Sequence, residues 1–388
     1  MSRLNINNLT NENEDGSPRI SGISTFSSPH YFVPPSGTTA ERPSDPGEGM
    51  IRFNTDSGHL EYYTGEFWDD VIVNNYQIGI STNPAGTSGG LGHRALFFRG
   101  NTDGPTTNVN VIDYITISTL GNAQDFGDDI TDRQSGALAS STRALSAGRS
   151  NVNVNIQYVT ISSTGDSTSF ADLVAATGGS PAGLSNGTRG IFAGGTSPSP
   201  ATNKMDYVTI ASEGVNAQDF GDLSVTRDSP GGCSSPVRGV ILGGFNPDGK
   251  HASIDYVTIS TLGDAQDFGD ITTGTDHICM DSNATRGVFG GGRTPGLTNV
   301  IEFITIASTG NSQDFGDLLQ VRAMGGGAAS STRIVFAGGY NPSSPYNTWT
   351  NGAIECVEIA TTGNSIGFGD LFLNRSQCRG TSNGHGGL

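Results

Sequence analysis

Ile254-Asp255-Tyr256-Val257-Thr258-Ile259, followed after a short turn by Gln266-Asp267-Phe268-Gly269-Asp270, is the stretch that decides the fold. Apolar and polar side chains alternate through its first half, which is the two-residue period of a strand with one buried face. The pattern occurs six times. Its aromatic position recurs at Tyr114, Tyr158, Tyr207, Tyr256, Phe303 and Cys356, at intervals of 44, 49, 49, 47 and 53 residues. A strand-built repeat of that length is the sequence signature of a β-propeller or a solenoid.

Working outward from this copy, Gly231 to Ser235 reads as a short small-residue strand, A. Arg238 to Leu242 reads as strand B, Ile254 to Ile259 as strand C, and Asp264 to Asp270 as strand D. Four strands in about 48 residues make one propeller blade. The Gly pair after strand B (Gly194-Gly195, Gly243-Gly244, Gly291-Gly292, Gly338-Gly339) permits positive φ and close backbone approach. The strand-D aromatic recurs at Phe126, Phe170, Phe220, Phe268, Phe315 and Phe368 and is expected to fill the space between blades.

Two charges recur with the same count. Arginine opens strand B at Arg94, Arg143, Arg189, Arg238, Arg286 and Arg333; aspartate closes strand D at Asp128, Asp172, Asp222, Asp270, Asp317 and Asp370. Equal numbers at fixed offsets predict repeated Arg–Asp ion pairs. A ring of carboxylates around Ca²⁺ is the rival reading, but one Asp per blade does not supply the ~6–8 oxygens that ion takes. No metal site and no cofactor are expected.

The array ends informatively. After the last strand D comes Arg379-Gly380-Thr381-Ser382, which has the character of a strand A without a blade of its own. Pairing it with the first blade closes the ring and removes an open edge. The expected fold is therefore all-β: a six-bladed propeller over residues 93–388, closed by the C-terminal strand. Residues 86–90 are the alternative source of the first strand A.

Upstream the character changes. Residues 1–48 are irregular and read as an extended attachment arm, with Tyr31, Phe32 and Val33 in its one apolar island. Residues 49–73 read as a three-stranded β-meander too small to stand alone. Ile51, Phe53, Tyr62 and Trp68 are its candidate assembly contacts, joined by those of the arm. Residues 74–92 form a Gly- and Ser-rich linker.

Composition agrees with this layout. Of 388 residues 57 are Gly, 34% are apolar and only 15% are charged, which suits short strands joined by small-residue turns. A net charge of −17 makes the chain a poor candidate for sequence-independent DNA or RNA binding, which rests on Lys and Arg facing phosphates, so nucleic acid is not an expected partner. The spacing of Cys233, Cys279, Cys356 and Cys378 matches no zinc motif, and small buried thiols are expected. The polar opening Met1 to Asn8 is no signal peptide, and no apolar run approaches the ~20 residues of a membrane helix. Synthesis in a host cytoplasm without N-terminal secretion or membrane insertion is the expectation.

The Gly pair after strand B and the blade-length period resemble kelch-type propellers, although the usual blade Trp is absent. A closer resemblance covers nearly the whole chain. Repeats of the form Asp-Tyr-Val-Thr-Ile … Gln-Asp-Phe-Gly-Asp are similar to those of cyanophage virion structural proteins. The opening Ser2 to Thr10 and Ile20 to Phe26 resemble the start of tail-fibre-like proteins of that group. Gly49 to Asp56, Leu60 to Tyr63 and Trp68 resemble a β-module of phage fibre and baseplate proteins. The resemblance implies a noncatalytic virion component, located in the particle and joined to other virion proteins as a homo-oligomer. A tail fibre or appendage is the first expectation; a head or capsid decoration protein and a glycan-cleaving depolymerase are the alternatives.

Propellers place function on loops. The longest B–C loop, Tyr340 to Gly352, carries Tyr340, Tyr346, Asn347 and Trp349, rings and an amide suited to stacking on and hydrogen-bonding a host-surface glycan. Self-packing or a subunit contact is the bland alternative. Acid–base candidates outside the repeat, Glu213, Asp248, Asp276 with His277, and Asp281, fall in different blades and form no recognisable catalytic constellation in sequence.

Overall fold

The computed structural model describes residues 34–56, 59–71, 93–102, 107–131, 135–148, 154–176, 179–196, 201–342 and 350–388. They belong to two compact units, Met1–Thr87 and Ser88–Leu388. The architecture is all-β, and no helix among the described residues is long and apolar enough to cross a membrane.

The first unit contains the expected meander, Ile51–Asn54, His59–Tyr63 and Trp68–Val71, each strand antiparallel to the next. The sheet begins earlier than the sequence reading placed it. Ser36–Gly37 adds a fourth strand, parallel to Ile51–Asn54, and a single 3-10 turn follows at Thr39–Glu41. Tyr31, Phe32 and Val33 lie outside the described residues.

This small sheet is inverted. Alternation puts Arg52 and Asn54 on its buried face, with Glu61 fully buried between them. Arg42 holds the Glu61 carboxylate with bonds of 2.5 and 3.2 Å, Asn54 donates at 3.1 Å, and Arg52 lies 3.5 Å away. Ile51, Phe53 and Tyr62, 53%, 36% and 37% exposed, share the opposite face because Ile51 pairs with Tyr62. Trp68 is on the polar side, 5.5 Å from the Tyr63 ring and under the guanidinium groups of Arg42 and Arg52.

The second unit contains six four-stranded antiparallel sheets. In the fourth, strands A to D are Gly231–Ser234, Arg238–Leu242, Ser253–Thr258 and Gln266–Asp270. Each of six apolar clusters is shared by two neighbouring sheets, and the last joins sheet 6 to sheet 1. The strand-D phenylalanines sit in these clusters, and in five sheets the strand-C aromatic meets its phenylalanine edge-on at 5.9–6.1 Å. The core therefore lies between sheets.

Sheet 1 takes its strand A from the far end of the chain: Arg379–Ser382 pairs antiparallel with Arg94–Thr102. The six A strands touch in a closed cycle. At their ends Ser185 donates its hydroxyl to the Ala139 carbonyl, Ser234 to that of Ser185, Ser282 to that of Ser234, and Ser382 to that of Ala329.

Neighbouring sheets are stitched at strand D as well. Gly310 N–H donates to the Phe268 carbonyl at 2.7 Å, Ser312 N–H to that of Asp270 at 2.9 Å, and Asp270 N–H to Asn311 Oδ1 at 3.0 Å. A Cβ on Gly269, at φ +145°, would lie 2.5 Å from the Gly310 carbonyl oxygen. Only glycine tolerates that backbone and that approach. Equivalent bonds join the other five pairs of sheets.

The predicted Arg–Asp pairs do not form. Arg94, Arg143, Arg189, Arg238, Arg286 and Arg333 each donate to a carbonyl at the end of a strand C in another sheet, at 2.7–3.2 Å. The first five also stack on Tyr114, Tyr158, Tyr207, Tyr256 and Phe303 at 4.5–4.8 Å. Where Cys356 replaces the ring, Arg333 turns to Glu358 at 2.6 and 2.8 Å. Asp128, Asp172, Asp222, Asp270, Asp317 and Asp370 offer backbone N–H groups to the stitch; their side chains share no repeated partner, with Asp222 on Lys204 and Asp172 on Asn155. A ring face on the adjacent strand outcompetes a solvated carboxylate two strands away, because the guanidinium keeps its stack and desolvates little.

Candidate functional site

The D-to-A connectors and B–C loops share one end of the second unit. There the structure unites residues that the sequence scattered. Asp276 and His277 are on the connector into sheet 5, Ser229 on the connector into sheet 4, and Arg293 on a loop of sheet 5. His277 Nε2 lies 3.2 Å from Ser229 Oγ, and His277 Nδ1 lies 3.3 Å from Asp276 Oδ1. This is the connectivity of a Ser–His–Asp triad.

An arginine shares its histidine and its acid. Arg293 grips Asp276 with bonds of 2.9 and 3.1 Å and sets Nη2 3.1 Å from His277 Nδ1. Nδ1 thus faces both a donor, Arg293 Nη2, and an acceptor, Asp276 Oδ1: accepting from the arginine requires the ring proton on Nε2, and donating to the carboxylate requires it on Nδ1. In the first tautomer Nε2–H points at Ser229, whose hydroxyl faces Asp228 Oδ1 at 3.3 Å, and the imidazole offers a donor where a nucleophile needs a base. Burial holds the His277 pKa below its ordinary value, and the Arg293 charge works in the same direction. Ser229, His277 and Asp276 are only 1%, 6% and 2% exposed. The positive φ of Ser229 and His277 recurs at Met324 and Gln377, each two residues before the strand A of its sheet, so it belongs to the architecture.

A second set of buried charges repeats through the unit. Arg227 lies 3.2 Å from Asp255, Arg375 2.8 Å from Asp113, Arg322 bonds Glu355, and Arg99 meets Asp129 at 2.7 Å. The sequence carried a signal for it: Arg227, Arg322 and Arg375 each stand four residues after the leucine that follows strand D. Asp206 occupies the strand-C position of these acids with no arginine at its connector, and burial raises its pKa to about 6.

The A strands enclose an axial space with two recesses. One is lined by Leu184, Cys233, Asp281 and His385 among others. Residues after Ser382 fill that end: His385 Nε2 donates to the Ala139 carbonyl at 2.9 Å, and Gly386 N–H donates to that of Ser282 at 2.7 Å. Burial drives the His385 pKa down to about 4. The other, a small recess, lies at the connector end and is lined in part by Arg379.

Of the loop candidates, Tyr340 pairs with Ala323 through backbone bonds of 2.7 and 3.2 Å, while Tyr346, Asn347 and Trp349 lie outside the described residues. Glu213 accepts the Tyr158 hydroxyl at 2.9 Å, Asp248 is in an exposed turn, and Asp281 caps the Ala329 and Ser282 N–H groups. All four cysteines are buried and unpaired.

The chain matches no known family profile. It matches no curated protein in sequence.

Proposed function

We propose that the chain is a noncatalytic phage virion component: a six-bladed, kelch-like propeller carried on an N-terminal attachment region. The reading places it in a tail fibre or similar appendage, assembled as a homo-oligomer with other virion proteins and presenting its loops to a host-surface glycan. The cyclic packing of six sheets and the first-to-last strand pairing support the propeller.

The observation that carries the attachment role is the inverted sheet of the first unit. A module that buries Glu61 and Arg52 while exposing Ile51, Phe53 and Tyr62 gains by covering that apolar face with protein. The test is a chain with Ile51→Ser and Phe53→Ser, scored for incorporation into particles. Incorporation at the normal level sinks the attachment role. Locating the chain at the head by cryo-EM would replace appendage with capsid decoration, and release of reducing ends from host polysaccharide would replace binder with depolymerase.

A further inference from the structure

We propose that the axial recess at the connector end binds a small oxyanion, a carboxylate, phosphate or sulfate group, on the guanidinium of Arg379. Residue 379 breaks the repeat at an interior position. The other A strands begin with Gly136, Ala182, Gly231, Cys279 and Gly326, and only sheet 1 places a long cation there.

Arg379 lines the recess together with Pro181, Pro230, Ile278 and Gly325. Among the described residues its guanidinium makes one hydrogen bond, a long one of 3.4 Å from Nη1 to the Gly325 carbonyl. Among the described residues no carboxylate lies within ion-pair distance of it, in contrast to Arg99, Arg227, Arg322 and Arg375, each of which has an acid. Cys279 and Cys378 stand close to it, and burial keeps both thiols protonated by pushing their pKa values up. Asp228 is the acid whose charge reaches Arg379, from beyond ion-pair distance, and an oxyanion in the recess supplies the close counter-charge that the guanidinium lacks.

The chemistry of the walls fits. Guanidinium presents a planar fork that takes two oxygens of one carboxylate or phosphate. Every A strand is an edge strand of its sheet, so alternate backbone groups point away from the ladder and can add N–H donors. The recess suits a group of a few heavy atoms. The site belongs to the second unit alone and goes beyond the virion reading: it stands or falls without it.

The experiment titrates the full chain by calorimetry with sodium acetate, sodium phosphate and sodium sulfate, each at ionic strength held constant with chloride. The expected result is saturable binding of at least one of the three at one site per chain, weakened at least tenfold by Arg379→Met. The preferred anion separates a carboxylate ligand from a phosphate or sulfate one. No saturable binding in the wild type, or equal binding by the variant, overturns the proposal. If Arg379→Met does not fold, crystals of the wild type soaked in selenate decide: anomalous density within hydrogen-bond reach of the guanidinium supports the site, and its absence there overturns it.

Discussion

Ala171 stands where the other strand D segments carry the stitching glycine or its equivalent, and Gly214 of the facing loop answers it. Gly214 donates to the Phe170 carbonyl at 2.8 Å, as its counterparts do, but at φ +78° where they lie between +146° and +158°. Its loop is one residue longer, with Val215 inserted before Asn216. The extra residue lets the loop step around a methyl group that would strike a carbonyl in the tighter joints.

A reciprocal test follows from that pair. Deleting Val215 should destabilise the chain by about 2 kcal/mol, and Ala171→Gly in the same chain should recover most of the loss. Gly269→Ala, with no lengthened loop opposite, should cost about 2–3 kcal/mol. Chemical denaturation reads all three; simple additivity of the first two changes would refute the coupling.

Arg238 and Asp270 should behave unequally. Arg238→Gln loses the stack on Tyr256 and the bond to Ile306, a cost of about 1–3 kcal/mol. Asp270→Asn keeps the backbone stitch and should stay within about 0.5 kcal/mol. Similar losses for the two would restore the ion-pair reading.

Arg375→Met should be the most damaging of the charge changes. It strands the Asp113 carboxylate in the interior, for which about 3–5 kcal/mol is usual. Asp113→Asn together with Arg375→Met should be milder than Arg375→Met alone, and melting curves compare them.

Acidity acts in two opposite senses. His385 has a folded pKa of about 4 against an ordinary 6.5, so its contribution to stability is full above pH 6.5 and is lost as pH falls toward 4, about 3 kcal/mol in all. The protection factor for hydrogen exchange at Gly386, corrected for the intrinsic pH dependence of exchange, should fall through that window, and an imidazole titrating at 6.5 by NMR would contradict it. Asp206 runs the other way. Its pKa is raised from 3.8 to about 6, so stability falls as pH rises across that interval. Asp206→Asn should raise the melting temperature at pH 7.5 and leave it unchanged near pH 3.5.

Strand positions were legible because local pattern sets them: alternation at Ile254–Ile259 and turns rich in Gly place strands within a residue or two. The closing strand was legible too, since Arg379–Ser382 has the size and polarity of a strand A. Partner choice was not. Arg238 and Asp270 share a period, but which group a guanidinium reaches depends on how one sheet lies against the next, and no spacing along the chain records that. Nor does alternation say which face of Ile51–Asn54 turns inward; the Arg42–Glu61 bond decides it from outside the strand. The Ser229–His277 contact was hidden for the same reason, since its members sit on separate connectors.

The pairing of Arg379–Ser382 with Arg94–Thr102 also sets a clock. Arg94 and Asn383, which bond across that joint, are 289 residues apart. At about 5–20 residues per second, a ribosome needs tens of seconds to deliver the second after the first. Throughout that interval the nascent first sheet carries a naked margin, so a chaperone, or a sister chain on the same message, has its opportunity to engage before the lock snaps shut.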